Sequence, residues 1–253
     1  MLSKNKIKLV TSLSYKKNRD ETGLFVAEGF KLVEELSQVF HCEFIGYLSE
    51  KENEIASLQA QEKIPVSEDI MTKISSQKSP QGVLGVFKKN KVDEIDNEII
   101  KSQLCIALDD IQDPGNLGTI IRLADWFGIR HVFCSEYSAD VYSTKVIQAT
   151  MGAIARVNVH YVDLEKFLSS IENIPIYGAF LDGENIYSEK LSHNGIIVMG
   201  NEGNGISDKI ARNVGVRLNI PSFSPDSTTT ESLNVAVATA IICSEFRRRK
   251  IGK

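Results

Sequence analysis

The chain has 253 residues, 42% of them hydrophobic and 25% charged, with a formal net charge of −4. That balance supplies enough apolar surface for a folded core and excludes a disordered or fibrous chain. No apolar run reaches the ~20 residues that span a bilayer, and the basic start MLSKNKIKLV has no apolar stretch behind it. A cytoplasmic protein without a secretory signal or a membrane partner is therefore expected.

In chain order, LFVAE (24–28) reads as a short strand, and GFKLVEELSQVF as an amphipathic helix with Phe30, Val33, Leu36 and Phe40 on one side. EFIGYLS (43–49) is a second strand, 50–59 a polar helix, and Ser67 the cap of a helix running through Ile74. QGVLGVFKK (81–89) closes a small α/β unit over residues 1–89. Residues 90–103 are polar and charged and read as a linker or a peripheral helix. A more strongly patterned domain follows over 104–253. Its strands are LCIALDD (104–110), HVFCS (131–135), ARVNVHY (155–161), IPIYGAFL (174–181), GIIVMG (195–200) and GVRLNIP (215–221). Helices are expected at 116–127, 144–151, 164–171, 207–213 and 232–248. Continuous apolar strands alternating with helices imply a parallel sheet covered on both faces.

Cys42, Cys105, Cys134 and Cys243 form no C-x-x-C pair and read as reduced thiols. His41, His131, His160 and His193 are scattered, so no metal site is expected. Both chain ends are basic: no acid precedes Asp20, whereas Lys4, Lys6, Lys8, Lys16, Lys17 and Arg19 do, and Arg247, Arg248, Arg249, Lys250 and Lys253 close the chain. Such ends either contact phosphate or are merely solvated, and charge alone favours solvation.

Three segments carry chemistry. In DDIQDPGNLGTIIRLADWFGI, Pro114 and Gly115 break the chain after a strand and Asn116 stands where a helix cap is wanted. Leu117, Ile120, Ile121, Ala124 and Phe127 share the packing face, while Arg122 projects back over Gly118, leaving an opening near the strand's carboxyl end. A lone arginine of this kind is ordinarily a surface residue; the joint N-x-G-x-x-x-R spacing argues for more. In IIVMGNEGNGIS a strand runs into Gly200, Asn201, Glu202 and Gly203, with Ser207 capping the next helix. This G-x-x-G-x-G order is either a tight turn or a close backbone approach to a ligand. A carboxylate at Glu202 would repel a pyrophosphate and suits a cationic or hydroxyl-rich ligand. In the third segment, Ile220-Pro221 ends a strand, and Ser232-Leu233-Asn234 opens a helix, where capping explains one of the two polar residues.

Together and in this order, the segments resemble the three motifs of the SpoU/TrmH branch of the SPOUT superfamily: Asn116, Gly118 and Arg122; Gly200, Glu202 and Gly203; Ile220, Pro221, Ser232, Leu233, Asn234 and Val235. The resemblance covers about 104–250, and FVAEGFKLVEE and PQGVLGVF resemble the family's substrate-binding domain. The loop SFSPDSTTTE (222–231) departs from the family pattern in being longer and lacking glycine. The resemblance implies a parallel-sheet domain with a C-terminal trefoil knot, which ridge-and-loop rules would not propose. It further implies a homodimer and transfer of a methyl group from S-adenosyl-L-methionine (SAM) to a ribose 2′-hydroxyl of RNA, ribosomal RNA being favoured over transfer RNA. Gly200, Asn201, Gly203, Ile220 and Leu233 are implied as SAM contacts. Arg122, Asn116, Glu202, Ser232 and Asn234 are implied as the reaction site. Arginine is a poor base, because its pKa exceeds ~12; Arg122 either grips a phosphate beside the target ribose or takes the proton in a perturbed setting. Two rivals remain, a non-catalytic RNA-binding module and a nucleotide-dependent oxidoreductase. The second lacks the acidic residue expected ~20 residues after the glycine turn.

Overall fold

A computed structural model describes residues 2–90, 97–223 and 232–251. The chain packs as two compact units, Met1–Lys91 with Asp140–Ala155, and Val92–Ala139 with Arg156–Lys253.

In the first unit, Ser3 accepts the Lys6 N–H at 3.3 Å and starts α1 (Lys4–Ser12). Gly23, at φ 67°, ends α2 (Lys16–Thr22). Then come β1 (Leu24–Glu28), α3 (Phe30–Ser37), β2 (Cys42–Leu48), α4 (Glu52–Ile55), β3 (Glu62–Val66), α5 (Glu68–Ile74) and β4 (Val83–Lys88). The sheet order is β1-β4-β2-β3, with β4 antiparallel to both neighbours and β3 parallel to β2. Strand β3 was not expected from EKIPV; it lies at the sheet edge, where Pro65 costs no ladder bond to an outer neighbour. The polar helix expected at 50–59 shrinks to α4, whose one buried residue is Ile55. With so little apolar surface to bury, more turns gain nothing.

The second unit contains α6 (Asn97–Ser102), β5 (Leu104–Leu108), α7 (Pro114–Trp126) and β6 (His131–Ser135). After α8 (Thr144–Thr150) it continues with β7 (Asn158–Val162), α9 (Leu164–Ser169), β8 (Ile176–Asn185), β9 (Gly195–Met199), α10 (Asp208–Ala211), β10 (Val216–Asn219) and α11 (Val235–Ile251). Its six strands are all parallel, in the order β10-β8-β9-β5-β6-β7. Every residue of β5 and β9 is buried, as strands covered on both faces require. Within the stretch read as a linker, Ile100 of α6 is fully buried in this core, while 91–96 lie outside the described residues.

Helix α8 falls within the sequence expected to form the C-terminal domain, yet it packs in the first unit. The reason is local: Val146 and Ile147 are buried, the Tyr142 ring lies 4.9 Å from that of Phe25, and Asp140 accepts from buried Arg19 at 2.6 and 2.9 Å.

In the parallel sheet, β5 lies between β6 and β9. The chain leaves β5 toward β6 and later returns on its other side, so the carboxyl ends of β5 and β9 flank a topological switch point, where open α/β sheets bind ligands.

Candidate active site at the carboxyl ends of β5 and β9

Strand β9 runs into a closed loop. Asn201 N–H donates to the Gly205 carbonyl at 3.0 Å, and Gly205 N–H returns the bond at 2.8 Å. Position 200 must be glycine, because a Cβ there would stand 2.2 Å from the Gly205 carbonyl carbon. The Asn201 side chain organises the same loop: Oδ1 accepts from Gly203 N–H at 2.8 Å and Asn204 N–H at 3.2 Å, and Nδ2 donates to the Asp110 carbonyl at 2.8 Å. These two N–H groups are therefore already satisfied by the protein.

Strand β5 secures the loop from below. Buried Asp109 accepts from Ser207 through both N–H and Oγ–H at 2.7 Å. Asp110, at φ 56°, accepts the Ser135 hydroxyl at 2.5 Å and donates its own N–H to Ser135 Oγ at 2.9 Å. Ser207 occupies the N-cap position of α10, but its hydroxyl goes to Asp109 and makes no cap bond. Sequence reading missed Asp109, Asp110 and Ser135. The available signal was a pair of acids directly after a fully apolar strand.

Helix α7 begins two residues earlier than expected. Asp113, not Asn116, is its cap: Asp113 Oδ1 accepts Asn116 N–H at 2.8 Å, and Pro114 takes the first turn, where its missing N–H costs nothing. That leaves the Asn116 side chain available for the site. At α11 the cap is Asn234, whose Oδ1 accepts from Ala236 N–H at 3.0 Å and Val237 N–H at 3.2 Å. Because Oδ1 must face those donors, Nδ2 is the atom that reaches Asn116 Oδ1, at 3.0 Å. Asn116 Nδ2 then donates to Glu202 Oε1. The two amides thus form a directed chain from a helix start to a carboxylate, joining one residue from each of the three segments.

Other expected residues stand apart from this chain. Arg122 is exposed on α7, and Gly118, one turn before it, is buried. No hydrogen bond or ion pair among the described residues holds the Arg122 guanidinium. Ser232 and Leu233 are exposed just before Asn234, and Ile220 is half-buried after β10. Of the loop 222–231, which departs from the family pattern, residues 224–231 lie outside the described residues.

All four cysteines are free and buried, and burial pushes each thiol up to about 12, so none is a nucleophile at neutral pH. Two histidines are less scattered than the sequence suggests. The parallel pairing of β6 and β7 brings His131 Nδ1 within 3.2 Å of His160 Nε2, and His160 stacks on Phe133. Burial and the neighbouring His131 hold His160 down to about 4. Among the described residues, no three His, Cys, Asp or Glu side chains gather as a metal would need. No helix among them is long and apolar enough to cross a membrane.

The sequence signature of the SpoU rRNA Methylase family matches residues 103–244, more than half of the chain. The chain belongs to the SpoU rRNA methylase family. The signature of an MRM3-like substrate binding domain matches residues 4–85. Among SpoU relatives, the 23S rRNA (guanosine(2553)-2′-O)-methyltransferase of Bacillus subtilis is 27% identical over 96% of each chain. A solved TrmH-family structure from Porphyromonas gingivalis is 41% identical, covers 98% of this chain and 99% of its own, and superposes with a TM-score of 0.89. An AdoMet-bound rRNA methyltransferase from Sinorhizobium meliloti is 28% identical with a TM-score of 0.82, covering 98% and 96%.

Proposed function

We propose that this SpoU chain transfers a methyl group from SAM to a ribose 2′-hydroxyl of ribosomal RNA. The observation that carries the reading is the Asn234–Asn116–Glu202 chain at the switch point, on the same helix as an Arg122 that no described partner holds. The rRNA substrate is supported by the 23S rRNA methyltransferase of B. subtilis, which aligns over 96% of each chain.

The residues fit a sulfonium cofactor. Glu202 puts one exposed carboxylate on the glycine loop, and Leu233 and Val237 offer exposed apolar surface beside Asn234. Gly200, Asn201, Gly203, Ile220 and Leu233 would hold SAM mainly by backbone groups and by a loop shape that Asn201 fixes, with the family's knot formed by the second and third segments. When bound, SAM supplies an electrophilic methyl on a leaving group that needs no activation, so positioning and proton loss fall to the protein. Arg122 grips a phosphate beside the target ribose bidentately and so turns the 2′-oxygen toward the cofactor. Asn116 and Asn234 hold Glu202 in place, and exposed Ser232 lies two residues before Asn234 in the third segment. The exposure of Arg122 and Glu202 gives the hydroxyl proton a path to water.

The chain acts as a homodimer in the cytoplasm. Trp126 of α7 is 83% exposed and Phe223 86% exposed, two large apolar side chains that a second subunit would cover. Four buried, reduced thiols suit a reducing compartment. Residues 1–89, with 140–155 packed among them, serve as the RNA substrate-binding unit, and the remainder of 104–253 serves as the methyltransferase unit.

The test is a map of 2′-O-methyl sites in ribosomal RNA with the gene present and deleted, with tritiated SAM restoring the mark in vitro. Loss and restoration at one rRNA ribose is expected. Loss in transfer RNA would move the substrate, and no loss anywhere would leave a non-catalytic RNA-binding module.

A further inference from the structure

Two basic stretches frame the chain, and the structure treats them differently. In the C-terminal one, Arg247 Nε donates to the Phe127 carbonyl at 2.7 Å and Nη2 to that of Gly128 at 3.2 Å, so this guanidinium closes the end of α7. Arg248 holds Glu245 with two bonds of 2.8 Å. Those cations are committed within the fold.

The N-terminal stretch differs. Helix α1 buries Val10, and its C-cap Leu13, in the core of the first unit and turns Lys4 and Lys8, one helical repeat apart, to solvent. A short turn follows, and Tyr15 precedes α2 with 70% of its surface exposed, flanked by exposed Lys16 and Lys17. No aromatic or hydrogen-bond partner among the described residues holds the Tyr15 ring. Among the described residues Lys4, Lys8 and Lys16 have no ion pair, and Lys17 reaches Glu21 only at 3.8 Å. By contrast, Lys6 faces inward to Glu62 at 2.6 Å. An exposed tyrosine followed by exposed lysines is a combination that grips nucleic acid: the ring stacks on an unpaired base and the ammonium groups follow the phosphates.

We infer that the α1–α2 face, with Tyr15 as a stacking platform and Lys4, Lys8, Lys16 and Lys17 as phosphate contacts, is an RNA-docking surface for a single-stranded element of the substrate. The inference rests on the proposed RNA methylation and adds to it the side chains by which the N-terminal domain holds the RNA and the single-stranded form they hold. The net charge of −4 on the whole chain gives no general attraction for RNA, so binding must come from a local surface of this kind.

The test uses the full chain, tritiated SAM, and protein-free ribosomal RNA from cells lacking the gene. Tyr15→Ala is expected to raise KM for RNA about tenfold with kcat and SAM affinity unchanged, whereas Tyr15→Phe, which keeps the ring, restores KM. Replacing Lys8, Lys16 and Lys17 together by Gln is expected to lower the slope of log K against log salt by about two. An unchanged KM in Tyr15→Ala together with an unchanged salt slope overturns the docking surface while leaving the methylation reading standing. If the wild-type chain binds this RNA but methylates none of it, the methylation reading fails, and the same salt slope still decides the surface.

Discussion

Both units bury charged side chains, and they use them for different ends. In the first, Arg19 donates to Asp140 and to the carbonyls of Leu13 and Ser14, and Glu28 accepts from Ser75 and Ser76; these bonds tie distant stretches of chain into one fold. In the second, Asp109 and Asp110 sit at the end of β5 and hold the loop that carries Glu202. Arg19 and Glu28 in the first unit therefore bear on stability, while Asp109 in the second bears on stability and on the placement of the loop that carries Glu202.

That contrast can be broken by mutation. The largest stability effect is expected from Arg19→Ala, which leaves the Asp140 carboxylate buried without its partner; a loss of about 3–5 kcal/mol is expected, read by denaturant unfolding, with SAM affinity of the folded fraction unchanged. Asp109→Ala removes two bonds to a carboxylate and is expected to cost about 2–3 kcal/mol. Unlike Arg19→Ala it should also lower kcat, and an intact kcat would show that the loop is placed without β5.

A third break uses pH. His160 is held at about 4 against an ordinary 6.5. The unfolded chain therefore takes up this proton first as pH falls, and the stabilising contribution, complete above 6.5, is lost progressively down to about 4. Melting temperatures from pH 7 to 4 should fall less steeply for His160→Leu than for the wild type; parallel curves would assign the acid sensitivity elsewhere. The smallest effect is on α11: Asn234→Ala is expected to cost about 1 kcal/mol in lost capping and to slow methyl transfer about tenfold through Asn116, checked by melting and by single-turnover rates. Asn234→Asp, which keeps the cap but cannot donate to Asn116, separates the two effects.

How much of this was legible depends on whether the decisive contacts were local. Strands β5 and β9 announce themselves because both faces are buried, and the runs LCIAL and GIIVM are uninterrupted. Strand β3 does not, because Pro65 argues against a strand until the sheet edge is known. The start of α7 is less legible, because Asp113 and Pro114 compete with Asn116 for the cap position. At the site, the three segments are visible by spacing, and the structure joins Asn116, Glu202 and Asn234. The support beneath them was hidden, since Asp109 meets Ser207 98 residues later and Asp110 meets Ser135 25 residues later. The pairing of His131 with His160 depends on strand register, which composition cannot give. Likewise, nothing local marks Asp140–Ala155 as belonging with the first unit; its partner Arg19 lies 121 residues earlier.

If Arg122 positions the RNA for methyl transfer without helping to hold the cofactor, Arg122→Ala separates the two in a single-turnover rate on ribosomal RNA measured alongside calorimetric titration with SAM. A rate at least about 100-fold lower is expected, with SAM affinity unchanged. A near-normal rate, or a loss explained wholly by weakened SAM binding, would contradict that role for Arg122.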